Sequence, residues 1–425
     1  MSMELALLLG SFALLVLIDA PIAVALGLSS ALYIAVSGLA PMMIVAQQMI
    51  AGIDSFTLLA IPLFLFAGLL MVHGGLAPRI VALFAAIVGQ RTGGMAIVMI
   101  AACMMFGALS GSGVADVIAI GTMMLPAMRQ NGYPPGFSAA ALGCAGSLGT
   151  VIPPAIVLIV YGTATNTSIG KLFLGAIIPG ILLGIGLMIV AWWISRKNGW
   201  KGGEPTSLRK VGHALIDAIP AMIAPLIIVG GIRFGVFTPT EAAAAGVLYA
   251  LLVGGLFYRT LSFGKILNML RETTETTGAI LLAIASATVF GWILAAEQIP
   301  QMTVRMILGI TENPLLVVAL LMVVVLLLGT FMESLAIILI LAPIFIPVLA
   351  AYQIDPVYFG VLLTINLAIG ANSPPLGIDL MAACRTAGIP VSESFRYLSP
   401  FLGVMILVMF ILVFFPGVIT GVVGS

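Results

Sequence analysis

The stretch Leu109-Ser110-Gly111-Ser112-Gly113 is a small polar knot set between two apolar runs, Met95–Leu109 and Val114–Met128, each 15 residues long. A full bilayer crossing needs about 20 apolar residues. Neither run is long enough, and the second closes at Pro126 with Arg129, Gln130 and Asn131 behind it. Two short arms that meet at a Gly/Ser break read as a re-entrant helical hairpin with its tip at membrane depth.

Backbone at that depth must be buried in protein or line a cavity, because no water reaches its free N–H and C=O groups. The break then has a chemical use. The first arm ends in free carbonyls, which suit a cation, and the second begins with free N–H groups, which suit an anion. Ser110 and Ser112 add hydroxyl oxygens, Gly111 and Gly113 permit the turn, and Asp116 falls in the first turn of the second arm.

Composition places the whole chain in the bilayer. Of 425 residues, 62% are hydrophobic and 7% charged, with mean hydropathy +1.27, outside the range of soluble domains. The fold class expected is an all-α polytopic membrane protein. A net charge of +1 with no basic run gives no footprint for nucleic acid. Cys103, Cys144 and Cys384 stand singly in apolar or small-residue surroundings and read as packing residues. Leu5–Ile18 lacks a Lys/Arg-rich leader and reads as the first membrane helix, with a cleaved signal peptide as the weaker option.

In chain order, Met3–Ile18, Ile22–Val36 and Phe56–Val72 read as helices, with a less regular segment over 41–55. Ile80–Val88 is a short helix, the hairpin occupies about 94–130, and a helix over about 136–166 is interrupted by Gly146 to Pro154. Two adjacent prolines remove two backbone donors, so that helix breaks near its middle. Leu172–Ile194 ends the first half. The hydrophilic loop 195–213 carries Arg196, Lys197, Lys201, Arg209 and Lys210 against Glu204 alone, which makes it cytoplasmic, with Trp192, Trp193 and Trp200 as an interfacial anchor. The absence of Lys and Arg before Arg79 suits a periplasmic N-terminus, and both termini are expected on that side.

Residues 214–425 repeat the punctuation of 1–194. Pro21 and Gly27 match Pro239 and Gly246; Gly68 and Pro78 match Gly291 and Pro300; Pro126 matches Pro347; Pro153-Pro154 matches Pro374-Pro375; Phe173 and Pro179 match Phe395 and Pro400, at offsets of 218 to 223 residues. The second hairpin spans about 315–350 with its break at Gly329-Thr330-Phe331-Met332-Glu333-Ser334, and the second broken helix spans about 356–387 with its break at Gly370 to Gly377. Corresponding interrupted segments in two halves point to a secondary transporter with inverted repeats. A carboxylate at the bilayer centre costs about 2.5–3.5 kcal/mol on insertion scales, so Asp116 and Glu333, each just past a break, need partners or a wet cavity.

The residues also resemble a known family. Pro62–Leu70, Leu-Ser-Gly-Ser-Gly-x-Ala-Asp at 109–116, Leu-Pro-Ala-Met at 125–128 with Gly132-Tyr133, Ile-Pro-Pro at 152–154 with Tyr161-Gly162, Thr238 to Ala243, Gly329 to Glu333 and Ile369 to Gly377 look like the large membrane subunit of the tripartite ATP-independent periplasmic (TRAP) transporters. The likeness runs essentially the full length.

That resemblance implies a sodium-driven elevator importer for organic acids, C4-dicarboxylate, sialic acid or similar, in the bacterial inner membrane. It implies two partners, a smaller four-helix membrane subunit and a periplasmic substrate-binding protein. It carries one sodium site to Ser110, Ser112, Gly149, Ile152 and Pro154, and a second to Gly329, Thr330, Gly370 and Ser373. Gly113 and Ser373 depart from the family, which often has Ser and Thr there; both changes keep the backbone carbonyl, and the second keeps a hydroxyl. Asp116, Glu333 and Arg385 are the substrate or coupling candidates, set against plainer roles: a helix-terminus charge for the two acids and a membrane-surface anchor for Arg385. His73 and Arg129 read as turn and loop residues, and Thr273 to Thr277 is polar enough to enter a cavity but reads more simply as a helix start. The expected transport domain comprises about 94–166 and 315–387, with the rest mainly scaffold.

Other readings stand beside this one. A binding-protein-independent sodium/dicarboxylate symporter or related antiporter would share the architecture. An intramembrane enzyme is remote, since there is no His-Glu-x-x-His or Gly-x-Ser-x-Gly pattern and His73 and His213 lie far apart. A passive channel accounts less well for paired hairpins and helix breaks.

Overall fold

The computed structural model describes residues 3–203 and 205–423, so Glu204 of the basic loop lies outside the described residues. Among the described residues the chain is helical, with no strand and one isolated bridge between Thr92 and Lys201. The first half holds α1 (Met3–Leu17), α2 (Ile22–Ser37), α3 (Met43–Ile53), α4 (Ala60–His73), α5 (Leu76–Val88), α6 (Gly94–Ser110), α7 (Gly113–Gln130), α8 (Pro135–Gly146), α9 (Ile156–Thr165) and α10 (Ile169–Asn198). The second holds α11 (Leu208–Pro225), α12 (Gly231–Arg233), α13 (Pro239–Leu251), α14 (Phe263–Ala296), α15 (Ile299–Leu308), α16 (Pro314–Gly329), α17 (Ser334–Ala351), α18 (Pro356–Gly370), α19 (Ile378–Ala387), α20 (Phe395–Phe414) and α21 (Gly417–Val423). Among the described residues, seven stretches are long and apolar enough to cross a membrane.

Four sequence expectations change. Residues 41–55 are not irregular: α3 fills most of the segment, since no helix breaker lies between Met43 and Ala51. Pro126 sits inside α7, which runs on to Gln130. Thr273 to Thr277 lies within the 34-residue α14 rather than at its start; Thr273 and Thr274 donate their hydroxyls to carbonyls four residues back, which lets polar residues ride mid-helix. The Trp200 ring does not stand free but is half-buried in protein. It stacks among Phe137 at 5.0 Å, Tyr133 at 5.6 Å and Tyr397 at 6.4 Å, while Trp192 and Trp193 stay exposed.

The 30-residue α10 is about 45 Å long at 1.5 Å per residue, enough to join both faces of a bilayer. Its two ends orient everything else. Beside its basic C-terminal end, Gly93 N–H donates to the Trp200 carbonyl at 3.1 Å, which fixes the base of the α6–α7 hairpin there. At the other end, Tyr161 near the close of α9 donates to the Pro356 carbonyl at 2.8 Å, and Tyr352 donates to that of Thr311 at 2.8 Å, which draws together the outer ends of α16 and α17. The two hairpins therefore enter from opposite ends of the molecule. Between them lie α8 and α18. Every residue from Gly136 to Gly146 and from Val357 to Gly370 is buried, as expected of helices apolar or small all round.

Candidate functional site

Both hairpin tips end against the break of a neighbouring helix, and glycine makes the approach possible. A Cβ on Gly107 would stand 2.7 Å from the Cα of Gly149, and one on Gly370 would stand 2.8 Å from the Cα of Gly329. Backbone hydrogen bonds complete each junction: Ile156 N–H donates to the Gly111 carbonyl at 3.4 Å, and Leu376 N–H to the Thr330 carbonyl at 3.3 Å. Pro153-Pro154 and Pro374-Pro375 are both cis. Two points in the chain more than 200 residues apart thus share one local design.

At the first tip, α6 ends at Ser110 and Gly111 turns the chain with φ +65°, open to glycine and strained for other residues. Ser112 N–H donates to the Ser110 hydroxyl oxygen at 3.2 Å. The Ser110 hydroxyl donates to Asp116 Oδ1 and reaches the Ser112 carbonyl at 3.4 Å. The Pro154 carbonyl faces Gly111, 2.6 Å from where a Cβ would lie. Ser110, Ser112, Gly149 and Pro154 are therefore brought together. Ile152 turns its side chain away onto Gly180 of α10, so only its backbone faces the break.

At the second tip, Thr330 donates its hydroxyl to the Leu327 carbonyl and Ser373 to that of Ile369, at 2.8 and 2.9 Å. Ser373 N–H also donates to the Gly370 carbonyl at 2.9 Å. Each hydroxyl spends its proton inside its own helix and keeps oxygen lone pairs free. Both tips are thus lined by hydroxyl and carbonyl oxygens, a donor set that fits a hard cation. No group of three or more His, Cys, Asp or Glu forms a transition-metal cluster among the described residues.

The charged candidates separate. Asp116 is fully buried, with Oδ2 lacking a hydrogen-bond partner and pressed towards Gly149 and Gly107. It does not cap α7, whose N-cap is Ser112. Glu333 is the N-cap of α17, is exposed, and makes no side-chain capping bond. Arg385 lies in the last turn of α19, exposed, two turns of helix from the break. His73 closes α4, and Arg129 lies in the last turn of α7.

Two polar residues next to the site went unused in the sequence reading. Asp379, in the first turn of α19, is 3% exposed, and Asn372, in the preceding break, is fully buried. The Asp379 carboxylate lies beside Gly113, the first residue of α7: its oxygens stand 2.7 and 3.0 Å from a Cβ placed there. Free N–H groups at this terminus are where the sequence alone places a substrate anion, and a carboxylate of the protein already stands beside them. The signal was available, since an ionisable residue within a membrane segment is a site candidate by default.

A cavity of about 1070 Å³ lies at the other end of the molecule from the basic loop, lined by Asp54 and Ser55 after α3, Asn166 after α9, Thr288 and Gly291 of α14, and Pro343 of α17.

Residues 9–418 match the family described as tripartite ATP-independent periplasmic transporter, DctM component. The chain is 41% identical over 371 residues to the sialic acid TRAP transporter large permease protein SiaM of Vibrio cholerae, covering 87% of each chain. It is 38% identical to the C4-dicarboxylate TRAP transporter large permease protein DctM of Pseudomonas aeruginosa, covering 92% of each. To the isethionate TRAP transporter permease protein DctMQ of Oleidesulfovibrio alaskensis it is 40% identical over 97% of its own length, and it spans 65% of that protein. In fold it is similar to the YdaH transporter of Alcanivorax borkumensis, whose crystal structure is described as having an unusual topology, with TM-score 0.64 at 15% identity, covering 88% of this chain and 87% of that one.

Proposed function

The chain belongs to the DctM component family of tripartite ATP-independent periplasmic transporters, and on that footing we propose that it is the large membrane subunit of a sodium-driven importer of small organic anions. It is a transport permease like its relatives, not an enzyme. The relatives' names point to a carboxylate cargo, sialic acid or a C4-dicarboxylate, and isethionate extends the chemistry to a sulfonate. The partners are a four-helix membrane subunit and a periplasmic binding protein that delivers the substrate, and the site of action is the bacterial inner membrane. Loop 195–213 faces the cytoplasm and both termini the periplasm.

The observation that carries this reading is the pair of glycine junctions, Gly107 on Gly149 and Gly329 on Gly370, each bringing an oxygen-lined hairpin tip onto an unwound segment. Sodium would sit among Ser110, Ser112 and the carbonyls of Gly149, Ile152 and Pro154 at one tip, and among Gly329, Thr330, Gly370 and Ser373 at the other. Bound sodium supplies positive charge and order there. The chain's own part is linkage: a tip that is ordered only with cation present binds an anion only with cation present, so the gradient of one drives the other.

Residues about 94–166 and 315–387 would move as one body against the remainder. A cavity lined by α9 and α17 from the one body and by α3 and α14 from the other lies along the seam between them and supports this division.

The test is uptake into proteoliposomes holding this chain with its small membrane partner, under an inward sodium gradient, with and without the cognate binding protein. Uptake that needs both sodium and binding protein supports the proposal. Uptake with sodium alone makes the chain an autonomous symporter. Uptake indifferent to sodium removes the coupling.

A further inference from the structure

Asp379 and Asn372 present a combination that neither hairpin tip explains. Asp379 Oδ2 and Asn372 Oδ1 are both buried and both lack a hydrogen-bond partner. Both are acceptors. Asn372 Nδ2 donates to the Ala368 carbonyl at 3.0 Å, which turns its oxygen away from its own helix. Asp379 N–H donates to the Ala371 carbonyl at 2.9 Å, folding the break so that the start of α19 returns beside Asn372. Their segments pack on one face of α8: a Cβ on Gly143 would stand 2.8 Å from Asn372 Oδ1 and 3.1 Å from the Cα of Leu380, the residue after Asp379. A third acceptor without a donor, Asp116 Oδ2, faces Gly149 further along the same chain segment.

No Lys or Arg forms a salt bridge with either acid among the described residues. A neutral amide oxygen and a carboxylate, both out of water with no donor between them, are poorly served by any anion or by each other. Burying a charge without a partner is among the costliest things a fold can do. Protonation is one way out, but Asp379 lies in the first turn of α19 and beside the first residue of α7. The N-terminal ends of two helices face the carboxylate there. No hydrogen bond from the N–H groups there reaches Asp379 Oδ2, so Oδ2 and the Asn372 amide oxygen are left as two acceptors that a small cation would complete.

We propose that Asp379 and Asn372 form an additional monovalent-cation site, occupied by sodium, between the start of hairpin arm α7 and the second helix break. This deepens the sodium reading above and rests on it, but its ligands are none of the residues assigned to the two tips. It would link the halves directly, because an ion held by the second break would touch the first hairpin where Gly113 begins α7. The first tip would then close fully only when the second half is loaded.

The experiment is radioactive sodium binding to the purified complex of this chain with its small membrane partner, at constant ionic strength with choline as replacement, for the native chain and Asp379→Asn. The near-isosteric substitution removes the charge and keeps the shape. The expected result is a saturation level lower by one sodium per chain in the variant, with the remaining sites still titrating. Equal saturation levels overturn the proposal and leave a proton or a water molecule between the two side chains. If the native complex binds no sodium at all, the coupling reading fails before this one is reached. Should Asp379→Asn not fold, Asn372→Ser gives the same decision: at least a tenfold rise in the half-saturating sodium concentration of one site is expected, and an unchanged titration overturns the site.

Discussion

Gly329 and Gly370 touch backbone to backbone: a Cβ added to Gly370 would stand 2.8 Å from the Cα of Gly329 and 2.9 Å from its carbonyl oxygen. No side chain intervenes, so nothing flexible can yield. Gly370→Ala must push hairpin tip and broken helix apart, at a cost of about 1–3 kcal/mol for overpacking. A lower thermal midpoint together with loss of uptake is expected. Normal uptake by a stably folded Gly370→Ala variant would show that the junction tolerates separation and is not where transport is controlled.

Ser110→Ala removes the hydroxyl that donates to Asp116 Oδ1, and Asp116 Oδ2 already lacks a partner. A buried acceptor left unsatisfied costs about 1–3 kcal/mol. The variant is expected to melt earlier and to need a several-fold higher sodium concentration for half-maximal uptake. A sodium titration of uptake checks it; an unchanged midpoint takes Ser110 out of the cation site while leaving its structural role intact.

Thr238→Ala provides the contrast. Thr238 caps α13 in a reciprocal box with Glu241, its backbone N–H and hydroxyl 2.8 Å from Glu241 Oε2. Losing such a cap costs about 1 kcal/mol. Because α13 lies outside the proposed moving body, the thermal midpoint should fall while the sodium dependence of uptake stays as it was. A changed sodium midpoint would place α13 in the coupling machinery.

The hairpins and helix breaks were legible because their punctuation is chemical: Gly-Ser-Gly between short apolar arms and Pro-Pro inside a helix each forbid a continuous span. The contacts across the breaks were not. Nothing local says that Gly107 meets Gly149 or that Asp379 comes to Gly113, since both are products of how four helices pack. Helix α3 was missed because Gln47 and Gln48 blur its apolar face, and α14 was cut at its threonines because a hydroxyl bonded back to its own helix cannot be told from a cap by residue type.

Trp200 shows the same limit, since aromatic side chains near a basic loop suit a membrane interface and an aromatic core equally. Its ring joins Tyr133, just before α8, and Phe137, in the first turn of α8, to Tyr397 of α20. Aromatic pairs contribute about 0.5–1.5 kcal/mol beyond their buried area. Trp200→Ala is therefore expected to lower the thermal midpoint measurably, whereas Trp193→Ala, at an exposed ring, should leave it nearly unchanged in detergent. Equal midpoints for the two variants would return Trp200 to the lipid interface.

Whether the segments 94–166 and 315–387 move against the remainder can be decided at one contact. A Cβ on Gly291 of α14 would stand 3.6 Å from the Cβ of Pro343 in α17, within the roughly 3.5–4.5 Å that a disulfide requires between its Cβ atoms. The first residue belongs to the proposed scaffold and the second to the proposed moving body. Cys103, Cys144 and Cys384 are all buried and unpaired, so they can be replaced by Ala or Ser to leave a background free of other thiols. In that background the pair Gly291→Cys and Pro343→Cys should cross-link under mild oxidant. An elevator cannot complete its stroke with those helices tied, so uptake should cease on oxidation and return on reduction, while sodium binding to the cross-linked protein persists. Binding and uptake would then part company, which a merely misfolded variant would not show. Uptake at the reduced rate from fully cross-linked protein would mean that α14 and α17 travel together, and the boundary of the moving body would have to be redrawn to include α14.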